Sequence, residues 1–353
     1  MRMLDRYIGK NVILGILTAL LILIILISFF ALIEEIEDVG KGDYRTLDVF
    51  KYILFLVPRQ AYEVFPVAVL LGSLVGLGRL ASHSELTAMR TAGVSLGRII
   101  FSVMKAGVLI MLLVLFLGEF VAPKSGQYAE RMRAEKLYNQ STLKTRFGFW
   151  ARDGESFINI RQILADSRLG DIYIYEFSPE GKLKIATHAA SARYEKERWI
   201  LRDIKQSSFS QDSITSRQIE TATWESVLNP DLLDVVARPS MLPAWGLYQY
   251  VKFLHSNGLK AKTYEVALGE KIVNPLTTLV MVFLSVPFVF GVLRTVGIGQ
   301  RIFIGALLGV FFLVLNRAFG HMAIVYDLNV VFAVSFPGLM FLAVAALLMR
   351  RVN

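Results

Sequence analysis

Long apolar runs constrain the fold of this chain more than any other feature of its sequence. Three runs have no charged side chain: residues 11–33, 272–293 and 328–349. Three further runs carry one or two charges each: residues 53–78, 99–122 and 302–326. A helix needs about 20 apolar residues to cross a bilayer. The sequence therefore predicts an α-helical integral membrane protein with six transmembrane helices.

Lysine and arginine in the short loops predict the orientation, because such residues accumulate on the cytoplasmic side. With the N-terminus inside, the inner segments hold Arg2, Arg6, Lys10, Arg79, Arg90, Arg98, Arg294, Arg301, Arg350 and Arg351. The outer loop 34–52 is mostly acidic, and the outer loop 320–329 has no lysine or arginine. Both termini are thus predicted to be cytoplasmic. The first run is too long for a signal peptide and is followed by Glu34 and Glu35, so we expect it to remain as an anchor.

The stretch between the third and fourth runs is predicted to form an external domain. Residues 157–160, 172–175 and 218–224 are rich in β-branched and aromatic side chains and are separated by glycine-containing turns. This pattern predicts an all-β domain of the sandwich, jellyroll or partial-barrel type. Residues 244–255 have helical apolar spacing, with Gly258 as a stop. The predicted layout is helices one to three in 1–123, a jellyroll-like domain with flanking helices in 124–262, and helices four to six in 263–353.

Several classes of chemistry have no motif in this sequence. There is no cysteine, no phosphate-binding loop, no nucleophile elbow, and no metal-ligand spacing among the four histidines. The net charge is +9, but the insert contributes 21 Lys and Arg against 16 Asp and Glu without a concentrated basic block. We therefore expect no catalytic residue, no metal site, no cofactor and no nucleic-acid binding in this chain.

Polar residues within the runs are the default place to look for function. Arg59 and Glu63 share a helical face, which favours either an ion pair at the headgroup level or an Arg59 that lines a cavity for an anionic group. Lys105 and Glu119 are about 21 Å apart along a helix and cannot pair with each other. We expect each of them, like Arg317, to reach its own membrane interface.

Two glycine pairs and one basic cluster add further hypotheses. The pairs Gly72/Gly76 and Gly305/Gly309 permit close approach of a partner helix. Beyond Pro123, three cations lie just outside the membrane: Arg131, Arg133 and Lys136. They indicate either a solvated helix with an Arg131–Glu135 pair or a site for an anionic lipid headgroup.

The loop 82–93 is predicted to contain a helix of about ten residues. Ser82 and Glu85 match a capping box, and Gly93 is placed to end the helix. Three positions share one face and could form a docking surface: Leu86, Met89 and Ala92 or Gly93.

Three features together resemble one family, the LptF/LptG permeases of the lipopolysaccharide-export ABC transporter. They are the start Leu-Asp-Arg-Tyr-Ile-Gly-Lys (4–10), the loop Ser-Glu-Leu-Thr-Ala-Met-Arg-Thr-Ala-Gly (84–93), and the 3 + β + 3 layout. The layout fits both branches of the family, and the start and the loop favour the LptG branch. The resemblance implies an inner-membrane permease with a periplasmic jellyroll that extracts lipopolysaccharide from the outer leaflet and passes it towards the outer membrane.

The resemblance also implies partners and residue roles. An LptF permease, an LptB ATPase dimer that holds ATP and Mg²⁺, LptC and periplasmic LptA would assemble with the chain. The loop helix would be the coupling helix, with ATPase contacts from Glu85, Leu86, Met89 and Arg90. Some relatives carry lysines at the outer end of the first helix, where this chain has the acidic stretch 34–38. Lipopolysaccharide contacts are therefore expected from Arg59, Arg131, Arg133, Lys41 and Lys136, or through divalent cations on the acidic stretch.

Within the insert, a lipid path is expected along Phe157, Ile172 and Ile174, unless these residues are plain domain core. Three alternatives to the main interpretation remain. The paralogous permease LptF has the same layout. A mechanotransmission-type ABC protein usually has four spans, so six spans argue against it. An envelope-biosynthesis enzyme would need a polar catalytic cluster, which the sequence does not contain.

Overall fold

The computed structural model describes residues 3–138, 142–153, 156–164, 168–178, 180–195, 198–210, 213–224, 239–256, 258–292 and 296–351. The chain divides into two compact units. The transmembrane unit comprises Met1–Glu37, Ile53–Gly126 and Glu265–Asn353. The insert unit comprises Gln127–Tyr264 together with Asp38–Tyr52, a segment that contains the first loop and the first residues of the second helix.

Nine α-helices are present in the described ranges. They are α1 (Met3–Ile36), α2 (Thr46–Ser82), α3 (Glu85–Thr91), α4 (Leu96–Phe116), α5 (Ala122–Tyr138), α6 (Ala244–Ser256), α7 (Lys262–Pro287), α8 (Ile298–Val325) and α9 (Val330–Arg350). A π-helical turn, Leu117–Val121, joins α4 to α5, and a second one, Phe288–Val292, follows α7. The predicted helix at 244–255 is confirmed as α6.

Six helical segments of the described chain are long and apolar enough to cross a membrane. They are Met3–Ile36, Thr46–Ser82, Leu96–Leu137, Lys262–Gly291, Ile298–Val325 and Val330–Arg350. Each overlaps one of the six predicted runs along most of its length, so the 3 + 3 arrangement is confirmed. In α1 the buried apolar residues recur every four positions, at Ile8, Val12, Ile16 and Leu20. That stripe faces the core of the unit, and the exposed apolar remainder of α1 is available to lipid or to another subunit.

Close glycine packing joins α1, α2 and α8. A Cβ atom added to Gly15 would lie 2.3 Å from the carbonyl oxygen of Gly72. A Cβ atom on Gly72 would lie 2.2 Å from the Cα atom of Ile16. On α8, a Cβ atom on Gly305 would meet the side chain of Leu74 at 2.7 Å. The prediction that both glycine pairs serve helix approach is therefore confirmed, and the partner helices belong to this chain.

The predicted β structure of the insert is confirmed in the described residues 142–224. Its strands are β1 (Thr142–Asp153), β2 (Ser156–Leu164), β3 (Arg168–Phe177), β4 (Leu183–Glu195), β5 (Arg198–Phe209) and β6 (Ile214–Trp224). They form one six-stranded antiparallel sheet in the order β1-β2-β3-β4-β5-β6, so strands adjacent in sequence are also paired.

The register of the sheet decides which side chains share a face. Ile158 pairs with Ile174, and Ile160 pairs with Ile172. All four are buried, so they lie on the core face of the sheet. Phe157 pairs with Tyr175 and lies on the opposite face, because successive strand residues alternate between faces. The expectation that Phe157, Ile172 and Ile174 line one path is therefore corrected: the two isoleucines share a face and Phe157 does not.

Candidate functional site

Asp38 holds two of the predicted lipopolysaccharide-binding cations within the insert unit. The ammonium of Lys41 lies 2.6 Å from one carboxylate oxygen of Asp38, and the guanidinium of Arg133 contacts the other. The hydrogen bond from Lys41 keeps the pKa of the Asp38 carboxyl below its ordinary value, against the opposing effect of partial burial. The acidic stretch thus supplies a carboxylate to these cations, and a phosphate that bound them would compete with it.

The same loop is fastened to α5 by further contacts. The Arg133 guanidinium lies 5.6 Å from the ring centre of Tyr52, and the Tyr52 hydroxyl donates to Glu130 over 3.3 Å. The backbone N–H of Asp43 donates to the carbonyl of Lys136 over 2.8 Å. These contacts attach the segment 38–52 to α5, which the sequence order did not indicate.

A basic cavity of 350 Å³ adjoins this contact region. It is lined by Asp43, Arg45, Leu47, Asp48, Lys51 and Lys136. Asp48 is buried in the first turn of α2 and accepts from the backbone N–H of Arg45, the residue before the helix, over 3.1 Å, as the acidic residue of a capping box does. Three cations and two carboxylates line the cavity, so the lining carries a net charge of +1. Arg131 is exposed on α5.

Arg59 and Glu63 form the predicted ion pair in the transmembrane unit. Their side-chain nitrogen and oxygen are 2.9 Å apart, and the side chains are 20% and 45% exposed. The ion-pair interpretation is confirmed. The contact uses the Nε–H group of Arg59.

Lys105 and Glu119 each have an ion-pair partner on another helix, which the sequence did not indicate. The Lys105 ammonium lies 2.9 Å from Asp5, a buried carboxylate that also accepts from the Ser102 hydroxyl over 2.7 Å. Glu119 lies 4.0 Å from the ammonium of Lys271. Both side chains find partners on neighbouring helices because an ion pair costs less in a membrane than an unpaired charge.

Sequence reasoning missed the contacts of a partly buried lysine on α7 and a buried arginine on α8. Lys271 donates to the carbonyl of Gly118 over 2.8 Å, in the π-helical turn where a carbonyl is displaced from the regular ladder. Arg301 is 2% exposed and donates to the carbonyl of Gly78 over 2.6 Å. No local pattern could have shown either contact, since the partners are far apart in sequence.

The cytoplasmic-loop helix α3 is shorter than predicted and starts differently. Ser82 ends α2, and its hydroxyl donates to the carbonyl of Arg79, so the capping box with Glu85 is wrong. The cap position belongs to Ser84, which has a left-handed φ of 56° and makes no side-chain cap. The predicted stop at Gly93 is confirmed by its φ of 87° and by the N–H of Val94, which donates to Met89.

Glu85 accepts a hydrogen bond from the Tyr7 hydroxyl over 2.7 Å, so its carboxylate is attached to α1. Leu86 is 3% exposed, and Met89 packs against the same apolar core. The predicted docking face is corrected accordingly, because Leu86 and Met89 face this chain's own bundle. The exposed positions of α3 include Thr87, Ala88, Arg90 and Thr91.

Metal ligation has no support in the part of the chain that the structure describes, where no group of three His, Asp or Glu side chains converges. The acidic stretch 34–38 shows no metal-binding group there either, and its Asp38 carboxylate contacts Lys41 and Arg133.

Comparison with known proteins agrees with this architecture over the full length. The family model for the lipopolysaccharide export system permease LptF/LptG matches residues 6–351. The LptG permease of Escherichia coli (strain K12) is 36% identical over 352 residues, which cover 99% of this chain and 98% of that protein. The LptG permease of Haemophilus influenzae is also 36% identical over 99% of this chain and 98% of its own length. LptF of Escherichia coli (strain K12) is 23% identical over 51% of this chain and 49% of its own. The chain therefore belongs to the LptF/LptG family of lipopolysaccharide export system permeases.

Proposed function

We propose that this chain is the LptG-type permease subunit of a transporter that extracts lipopolysaccharide from the outer leaflet of the inner membrane. The observation that carries the proposal is the 36% identity to two LptG permeases over both three-helix halves and the insert. The similarity to LptF covers only half of the chain, which favours the LptG branch. The paralogous role of LptF is the alternative.

The orientation belongs to the same proposal. The basic short loops put both termini in the cytoplasm, and the acidic loop and the insert then lie in the periplasm. ATP hydrolysis would reside in a separate LptB dimer with its Mg²⁺, because this chain has no phosphate-binding loop. An LptF permease, LptC and LptA would complete the path to the outer membrane.

Lipid recognition would rest on exchange of carboxylate for phosphate. Arg133 and Lys41 are held by Asp38, and Arg59 is held by Glu63. A phosphate offers the same paired oxygens with more negative charge, and arginine binds it in a bidentate manner. The carboxylates would keep the cations positioned until the lipid arrives. Lys136 and Arg131 would add positive charge beside Arg133 on α5.

Coupling to the ATPase would use the exposed face of α3. Glu85 would present a carboxylate that the Tyr7 hydroxyl orients, and Arg90 would lie on the accessible side. Leu86 and Met89 would act indirectly, since they anchor α3 to the bundle and so transmit its movement. Within the insert, the core face with Ile172 and Ile174 would accept acyl chains in transit.

Depletion of the chain in its own organism tests the proposal. Newly made lipopolysaccharide should then remain in the inner-membrane fraction of a density gradient, and the permease should co-purify with a separate ATPase when it is tagged. Normal delivery to the outer membrane after full depletion would refute the transport function. Restoration of export by an LptF permease supplied alone would contradict the LptG assignment.

A further inference from the structure

A groove between α1 and α4 plays no part in the function proposed above. It lies within the transmembrane unit and has a volume of 580 Å³, which is in the usual range for a small-molecule site. Its floor contains two small residues, Gly9 and Ala106, and a Cβ atom on Gly9 would lie 3.7 Å from that of Ala106. The small floor residues create the depression between the two helices.

One end of the groove is positively charged. Arg6 and Lys10 are one helical turn apart on α1 and exposed, and neither is ion-paired within the described residues. Lys105 also lines this end, with its ammonium 2.9 Å from Asp5. The Arg98 guanidinium lies 3.6 Å from the same carboxylate. Asp5 is therefore already offset by two cations, and the charges of Arg6 and Lys10 remain uncompensated.

The other end of the groove is apolar. Ile13 and Leu14 follow Lys10 on α1 at the next helical turn, about 6 Å further along the axis. Leu109 and Leu112 line the wall on α4, and they are 59% and 54% exposed. Asp5 meets Ser102 and Gly9 meets Ala106, so the two helices run in the same direction here. The groove therefore changes from basic to apolar along the direction of the two helices, which is the direction of the membrane normal.

We infer that this groove binds an anionic phospholipid from the leaflet at the N-terminal end of α1. The phosphate contacts Arg6 and Lys10, and an acyl chain lies along Leu14, Leu109 and Leu112. The order of charge and apolar surface matches a phospholipid that stands in its own leaflet, headgroup outward. The positive-inside pattern identifies this leaflet as the cytoplasmic one, where anionic lipids attract basic groups. Lipopolysaccharide in the outer leaflet is a different ligand at the opposite end of α1.

A tryptophan placed beside the groove tests this inference. All four native tryptophans lie in the insert. The fluorescence of Leu17→Trp, after subtraction of the fluorescence of the unsubstituted protein, therefore reports on quenching within the membrane. Leu17 is 44% exposed and does not line the groove. The permease, purified with its accompanying subunits, is placed in nanodiscs that contain brominated phosphatidylglycerol or brominated phosphatidylcholine. Val344→Trp is the matched control, since Val344 is 39% exposed and lies at a similar distance from Arg350 and Arg351.

Each cation contributes about a fivefold preference for an anionic lipid, so the two cations together should make quenching of Leu17→Trp by phosphatidylglycerol about 25-fold stronger than by phosphatidylcholine. Arg6→Gln with Lys10→Gln should abolish that preference, whereas Arg350→Gln with Arg351→Gln should leave it unchanged. Equal preference at positions 17 and 344 would overturn the inference, because it would indicate only general attraction to a basic surface. Absence of lipid quenching at position 17 would also overturn it, because a protein segment would then cover the groove.

Discussion

The contact of Gly15 with the backbone of Gly72 gives the sharpest test of how the transmembrane unit is packed. In Gly15→Ala, the new methyl group would lie 2.3 Å from the Gly72 carbonyl oxygen and 3.0 Å from the Gly76 nitrogen. Both atoms belong to the backbone, so no side-chain rotation can relieve the clash. The helices would have to separate by about 1 Å to reach ordinary contact, and the close-packed bundle resists such a shift.

The expected loss of stability is about 3 kcal/mol, at the upper end of the range for overpacked cores. Gly9→Ala is the matched control on the same helix, since its methyl group would lie at an ordinary 3.7 Å from Ala106. Both changes gain the same helix propensity, about 1 kcal/mol, so their difference isolates the clash. Gly305→Ala should be intermediate, because it meets the movable end of Leu74 at 2.7 Å.

The assay compares apparent melting temperatures and membrane levels of the three variants by fluorescence-detected gel filtration. The expected order of stability is Gly9→Ala, then Gly305→Ala, then Gly15→Ala. Equal stability of Gly15→Ala and Gly9→Ala would refute the reasoning, because α1 and α2 would then not be in backbone contact.

Four further predictions concern the candidate sites. Glu85→Gln keeps the hydrogen-bond acceptor of that side chain but removes its charge, and should lower ATPase retention in a pull-down by about fivefold. Asp38→Asn should release Arg133 and increase lipopolysaccharide crosslinking to it. The pKa of the Asp38 carboxyl is lowered in the folded insert, so its contribution to stability is complete above the ordinary carboxyl pKa. That contribution is lost as the pH falls through the pKa of the folded state. In Asp38→Asn, this loss of stability at acid pH should be absent from thermal unfolding curves. A photo-crosslinker at Ile174 should label acyl chains, whereas one at Phe157 should not.

The pull-down and crosslinking predictions each have a result that contradicts them. Wild-type ATPase retention with Glu85→Gln would show that the carboxylate charge is not needed for coupling, and the same result with Glu85→Ala would exclude a coupling role for that side chain. Unchanged crosslinking at Arg133 in Asp38→Asn would indicate that the carboxylate does not compete with phosphate. Equal labelling at Ile174 and Phe157 would mean that neither sheet face is selective for lipid.

The sequence alone determined the number of membrane helices and the class of the insert. Crossing the bilayer core requires about 20 apolar residues, so six apolar runs predict six spans, whichever helices they pack against. Alternating β-branched residues likewise predict strands from local information, and β2, β3 and β6 contain the predicted segments. Gly93 and Gly258, both with positive φ, stand where helix ends were expected. These features depend on residues a few positions apart.

Only the tertiary structure decided which polar groups meet and which faces are covered. Asp5 and Lys105 are 100 residues apart, and Arg301 reaches the carbonyl of Gly78 across 223 residues. Leu86 faces this chain's own core, and Ser82 belongs to α2, although local spacing allowed other roles. The physical reason is that partner choice depends on how each helix is rotated about its axis. Packing between helices, such as that of Gly15 against Gly72, sets this rotation, and no pattern within one helix encodes it.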